Sequence, residues 1–179
     1  MRLLCARRIE CSSRLWEHGR LCRVFCKWTS LPKGPTVGKI LIGKPVVPGS
    51  AEGAALVSRE PLSFWGGISP QTGEVIDRRH DRSGSIVTGK VFVFPTGRGS
   101  STSSATLMES IRTGVAPAAI INLSVDPILA LGSIVADELF HQTIPIVVLS
   151  EEDFLSIKQD DYLVIKPDGK VLVNEQRGK

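Results

Sequence analysis

The stretch SIVTGKVFVFPTGRGSSTSSATLMESI, residues 85–111, passes from a strand-like block through a glycine–arginine–glycine turn into a helix-like block. The Ile/Val/Phe run up to residue 94 fits a largely buried strand. Ser104, Leu107, Met108 and Ile111 then recur at helical spacing, and Gly114 supplies a stop. A strand that ends in such a turn and reopens as a helix is where open α/β sheets place a ligand crevice.

Working outward, APAAIIN (116–122) reads as a second buried strand and IPIVVL (144–149) as a third. Between them Asp126 is the expected N-cap of a helix with Pro127 in its first turn, and its apolar face is expected at Ile128, Leu131, Val135 and Leu139. Upstream, KILIGKPVV and EGAALVS read as two short strands around the turn PGSAEG. Residues 59–84 form a long loop of little periodicity, of the kind that is functional or disordered in compact domains. Downstream, YLVIK and KVLV flank PDG as a hairpin with Asp168 and Gly169 at its turn. DELF and SEEDF read as solvated helix ends. Right-handed crossovers put the three apolar strands in a partly parallel sheet under helices, with the early and late strands as a second β layer. The expected fold class is α/β, a mixed sheet in β/β/α layers.

The loop at 95–104 lacks the lysine of a Walker loop and has Thr102 where a dinucleotide fingerprint needs glycine. The Gly-x-Ser-x-Gly of a lipase-type elbow is also absent. Gly97 and Gly99 allow a tight turn and a close approach, while Ser100 to Ser104 set hydroxyls and free N–H groups around the positive end of a helix. Such an end favours an anion, and Arg98 offers a bidentate contact to a carboxylate or phosphate. From this geometry Arg98, Gly99 and Ser101 are the expected substrate contacts. The same field favours a Ser100 alkoxide, although one helix end, about 1 kcal/mol, does not ionise a serine near neutral pH without a partner group. The competing reading is that Ser and Thr are only good helix caps, each worth about 1 kcal/mol, which leaves the glycine–arginine–glycine turn unexplained.

Other candidates are weaker. His80, in DRRHD, is expected to be a solvated loop histidine rather than a base, and His141 a structural residue at a helix end. FWGG (64–67) fits either a partner-facing turn or a plug of the core.

The formal net charge of +4 belongs to one end of the chain. Residues 1–38 hold eight of the 22 Lys+Arg and two of the 18 Asp+Glu, so the remaining residues carry 14 basic and 16 acidic side chains. The body therefore lacks the electrostatic footprint of a nucleic-acid binder. All four cysteines, Cys5, Cys11, Cys22 and Cys26, lie in that first segment at spacings that match no common metal motif, which leaves none in the body for a disulfide or a thiolate-held metal. No run of 18 apolar residues suggests a membrane span. Residues 1–38 are expected to be a basic extension, disordered or targeting, and 39–179 the domain. A cytoplasmic location is expected, or an organellar one if the extension targets the chain.

LSFWGG, TGEVID with His80 beyond it, GKVFVFPTGRGSS, GVAPAAIIN, GSIVADE and IPIVVL occur in order, and from about Lys39 to the end the chain resembles the small subunit, or swivel domain, of the aconitase X family. Residues 1–38 have no counterpart in it. The resemblance implies a swivelling β/β/α domain that closes over a larger subunit. That partner would carry an iron–sulfur cluster and most substrate contacts, with no cofactor bound by this chain. It implies hydro-lyase activity on a small carboxylate, either cis-3-hydroxy-L-proline or (R)-5-phosphomevalonate, with a lean to the former from FWGG, GRGSSTSS and the segment 136–154. The family's proton acceptor, the serine after the glycine–basic–glycine turn, falls on Ser100. Many relatives have glycine where Ser103 stands. Of the rival classes, a phosphohistidine carrier needs a histidine in the loop, and none lies between His80 and His141. A scaffold module meeting its partner through FWGG is the other.

Overall fold

The computed structural model describes residues 38–174, so the extension expected over 1–38 lies, except for Gly38, outside the described residues. In chain order the elements are β1 Lys39–Ile42, β2 Lys44–Val47, β3 Ala51–Val57, β4 Val91–Val93, α1 Thr102–Arg112, β5 Ala119–Asn122, α2 Pro127–Phe140, β6 Ile146–Val148, α3 Glu151–Ser156, β7 Tyr162–Ile165 and β8 Lys170–Asn174. The strands form one eight-stranded sheet in the order β1-β8-β7-β3-β4-β5-β6-β2. From β3 through β6 each pair is parallel, while β7, β8, β1 and β2 pair antiparallel with their neighbours.

β1 and β2 stand at opposite ends of that order, yet only Gly43 separates them in the chain. The sheet therefore curls until it nearly closes on itself, and β3 is shared by its antiparallel and parallel halves. The Gly43 N–H donates to the Gly169 carbonyl at 3.1 Å at this corner. The pleat then divides the apolar side chains between two cores. Val91 and Val93 of β4 face inward with Ala55, Ile121, Leu163 and Val171, between the two halves of the sheet. Phe92 points the other way, with Leu56 and Ile120, onto Leu107 of α1 and Leu129 of α2. The expected β/β/α layering is thus realised in a single curled sheet.

Some local expectations change. The strand predicted over 85–94 shrinks to Val91–Val93, because the Lys90 N–H turns back onto the Val87 carbonyl and Gly89 takes φ 69°. The expected apolar face of α2 is displaced: Leu129, Ala130, Gly132, Ser133 and Ala136 are buried, and Leu131 and Leu139 are exposed. Gly132 sits against the Ser104 carbonyl, so small residues set the α1–α2 approach and the large ones turn outward. SEEDF opens α3, and its Phe154 is buried between the halves of the sheet rather than solvated. His141 ends α2 in the left-handed conformation at φ 54°, in line with its expected structural place. The loop 59–84 is an ordered cover that buries Leu62, Phe64, Ile68 and Val75. Among the described residues no helix is long and apolar enough to cross a membrane.

Candidate active site

The loop after β4 is held from below by the ordered cover. Leu62 and Gly97 form a parallel bridge, and the Arg98 N–H donates to the Leu62 carbonyl at 3.0 Å. Both glycines of the turn are required by what lies beside them. At Gly97 a side chain would grow into the Asp126 carboxylate. Gly99 has φ 112°, and a Cβ there would stand 2.7 Å from Ser63 Oγ. A left-handed φ of this kind is costly for any residue but glycine.

Ser100 follows at once, exposed, with its carbonyl accepting the Ser103 N–H at 2.9 Å. Its Oγ accepts the Thr102 N–H at 3.3 Å and lies 3.1 Å from Thr102 Oγ1. The hydroxyl is therefore held at the positive end of α1 by the helix's own first N–H. Ser101, at the N-cap position, has helical dihedrals and makes no side-chain cap bond. Its carbonyl instead accepts from the Ser104 N–H and, at 2.6 Å, from the Ser104 hydroxyl. Capping by Ser101 thus does not account for the hydroxyl run. The first turn of α1 carries no acidic residue, whereas α3 has Glu151, Glu152 and Asp153 in its first turn and α2 is capped by Asp126. The field at the start of α1 is left open to an anion.

A cleft of about 170 Å³ opens over this turn. Thr96 to Ser100 form one wall, Val125 to Leu129 at the start of α2 form the other, and Leu62, Phe64 and Ser103 complete it. The cleft lies at the carboxyl ends of β4 and β5, where the two helix N-termini converge. Of the residues expected from sequence, Arg98, Gly99 and Ser100 are brought together along the wall, and Ser101 stands outside the lining. The Arg98 guanidinium is exposed, 3.5 Å from the Asp77 carboxylate.

Four neighbours were not among the substrate contacts or the base expected from sequence, although Ser103 lay within the hydroxyl run at the helix start. Asp77 faces Arg98, and Ser63 Oγ occupies the space that a side chain on Gly99 would enter. Ser103 accepts the Trp65 N–H at 3.2 Å, and Asp126 contributes a carboxylate to the lining. Asp126 carried a visible signal as a cap before Pro127, and Ser63 lay inside the quoted LSFWGG. Of the two readings of FWGG, the plug of the core is realised by Phe64, which is fully buried, while Trp65 next to it is 60% exposed.

His80 departs from expectation: it is buried, not solvated. Its Nε2 lies 3.2 Å from Ser58 Oγ and 3.4 Å from the Glu60 carbonyl, and its Nδ1 accepts the Arg82 N–H at 3.2 Å. Ser58 Oγ donates in turn to Asp81 Oδ1 at 2.7 Å. Glu60, His80 and Asp81 bring three potential metal ligands within 4.8 Å. With both ring nitrogens engaged and Arg82 beside Asp81, the group is a brace for the 59–84 loop.

The comparisons with known proteins agree with this architecture. Residues 40–173 match the family described as the aconitase X swivel domain. A Pseudomonas aeruginosa protein named cis-3-hydroxy-L-proline dehydratase is 48% identical over 112 residues, covering 63% of this chain, which spans only 19% of that relative's length. A Methanosarcina mazei protein named phosphomevalonate dehydratase small subunit is 39% identical over 136 residues, 76% of this chain and 85% of the relative. The crystal structure of holo-form Thermococcus kodakaraensis aconitase X contains a chain 37% identical, with a TM-score of 0.70, covering 77% of this chain and 100% of that one. With its motifs, its layered fold and three quarters of its length in agreement, the chain belongs to the aconitase X swivel-domain family.

Proposed function

We propose that this chain is the swivel subunit of an aconitase X-type dehydratase and that Ser100 is its proton acceptor. The observation that carries the reading is the Ser100 hydroxyl on the cleft wall, held by the Thr102 N–H at the uncompensated positive end of α1. Dehydration of a β-hydroxy acid removes the proton alpha to the carboxylate, and a positioned base contributes about two to four decades to such a step. Ser100 accepts that proton as an alkoxide whose charge is favoured by the N–H it already engages and by the helix end. Arg98, on the same wall, binds the substrate carboxylate, and the Gly97–Gly99 backbone lets it approach. Ser101, exposed and outside the cleft lining, holds Ser104 through its carbonyl, which keeps the first turn of α1 wound.

One helix end contributes about 1 kcal/mol, too little to generate the alkoxide alone, so the remaining stabilisation comes from a larger partner subunit closing over the cleft. The described residues include no cysteine and offer no thiolates for an iron–sulfur cluster. That group, with its Lewis-acid chemistry toward the leaving hydroxyl, belongs in this proposal to the partner. Such a division of labour is supported by the name of the Methanosarcina mazei relative, a small subunit.

The substrate favoured here is cis-3-hydroxy-L-proline, the substrate named for the relative with the higher identity. The stand-alone length of the Methanosarcina mazei relative, of which this chain spans 85%, favours phosphomevalonate instead. Reconstituting the chain with an aconitase X-type large subunit and assaying both compounds decides between them. Dehydration of the hydroxyproline is expected. Failure to associate, or inertness toward both compounds, would overturn the proposal.

A further inference from the structure

The geometry points to Asp126 as a specificity-determining residue that reads a cationic nitrogen on the substrate, so that the cleft selects a small zwitterionic imino acid over a polyanion. This rests on the dehydratase reading above and names the substrate class for the same site.

Asp126 caps α2 with one oxygen only. Its Oδ1 accepts the N–H groups of both Ile128, at 2.9 Å, and Leu129, at 3.2 Å. Oδ2 accepts from no described residue and lies against Gly97, in the space a side chain there would fill, and Asp126 and Gly97 both line the cleft. No described Lys, Arg or His pairs with this carboxylate, and the one cation of the cleft wall, Arg98, faces Asp77 instead. The two walls therefore differ in polarity: the start of α1 with Arg98 favours an anion, and the start of α2 presents a carboxylate oxygen with no protein donor.

Capping alone does not require that arrangement. Serine and asparagine cap as well as aspartate, and Ser150 does so for α3 in this chain. A free carboxylate oxygen in a cleft that admits a substrate carboxylate is repulsive unless the ligand brings a positive charge to it. A cyclic amino acid supplies both signs a few ångströms apart, its carboxylate for the Ser100 wall and its ring ammonium for Asp126. A phosphorylated carboxylic acid supplies only negative charge.

The test measures calorimetric binding to the reconstituted complex of two ligands that differ only at the ring heteroatom: L-proline and tetrahydrofuran-2-carboxylate, in which an ether oxygen replaces the ammonium. Wild type is expected to prefer proline by about tenfold or more, the scale of a hydrogen bond to a charged group. Asp126→Asn, which retains a capping side chain, is expected to lose most of that preference, binding proline more weakly than wild type and the ether analogue at least as tightly. Asp126→Ser, a second capping replacement, should behave alike and stands in if the asparagine variant fails to fold. A preference that survives either substitution, or a wild type that binds the two equally or binds neither, would overturn the assignment. Dehydration of cis-3-hydroxy-L-proline is scored separately. A complex that turns it over while Asp126→Asn keeps the preference sinks only the role of Asp126. A complex that prefers proline but is inert sinks only the dehydratase reading.

Discussion

Ser103, in the first turn of α1, accepts the backbone N–H of Trp65 at 3.2 Å and lies 3.4 Å from the Ser63 hydroxyl, which itself donates to the Trp65 carbonyl. The FWGG turn and the loop bearing Ser100 are thereby tied beside Gly99, where Ser63 fills the space a side chain would need. Ser103→Ala leaves the Trp65 N–H without its acceptor and should cost about 1–3 kcal/mol in a denaturant titration. In the reconstituted complex it should lower kcat more than it raises KM, because the base is displaced while Arg98 remains. An unchanged unfolding midpoint and unchanged kcat would show that the tie is idle.

Trp65 is 60% exposed, while its neighbour Phe64 is fully buried. An exposed aromatic on a pinned turn suits an anchor for the larger subunit. Trp65→Ala should leave the stability of the isolated chain within about 0.5 kcal/mol. The same variant should weaken association with the large subunit by about 2 kcal/mol or more, read by titration of the two purified chains. Equal affinity for variant and wild type would place the interface elsewhere.

The His80 brace makes a prediction that separates it from a metal site. His80→Ala removes the acceptor of the Arg82 N–H and a partner of the buried Ser58 hydroxyl, and should lower stability by about 1–3 kcal/mol. Added zinc should not change the melting temperature of wild type. A rise with zinc that His80→Ala abolishes would show instead that Glu60, His80 and Asp81 bind a cation.

At the corner between β1 and β2, a side chain on residue 43 would run into Val147 and approach Leu149 and the Val148 carbonyl at 2.8 and 2.9 Å. Gly43→Ala should destabilise the chain by about 1–3 kcal/mol through overpacking, seen as a lowered denaturant midpoint. Wild-type stability would mean that the sheet does not curl to near closure at this point.

Much of the fold was legible because buried strands write continuous apolar runs. Val91–Val93, Ala119–Asn122 and Ile146–Val148 all lie inside blocks read from sequence, and Asp126 before Pro127 marked the start of α2. The face of α2 was not legible, since hydrophobic periodicity weights Leu131 and Leu139 while close helix packing selects Gly132 and Ser133. The curl of the sheet was hidden because a single glycine between β1 and β2 reads as continuation. At the site, the glycines and Ser100 were visible as a local motif. The partners that shape them were not: Ser63, Asp77 and His80 reach the site or its brace from the 59–84 loop, whose lack of periodicity conceals three-dimensional contacts.

The central claim is that the Ser100 hydroxyl takes the substrate's alpha proton. Its most direct measurement is the rate at which the reconstituted complex exchanges or releases isotope from the alpha carbon of labelled cis-3-hydroxy-L-proline, compared between wild type and Ser100→Ala. The account predicts a loss of about two decades or more, with subunit assembly intact. Proton abstraction by the alanine variant within a fewfold of wild type would contradict it.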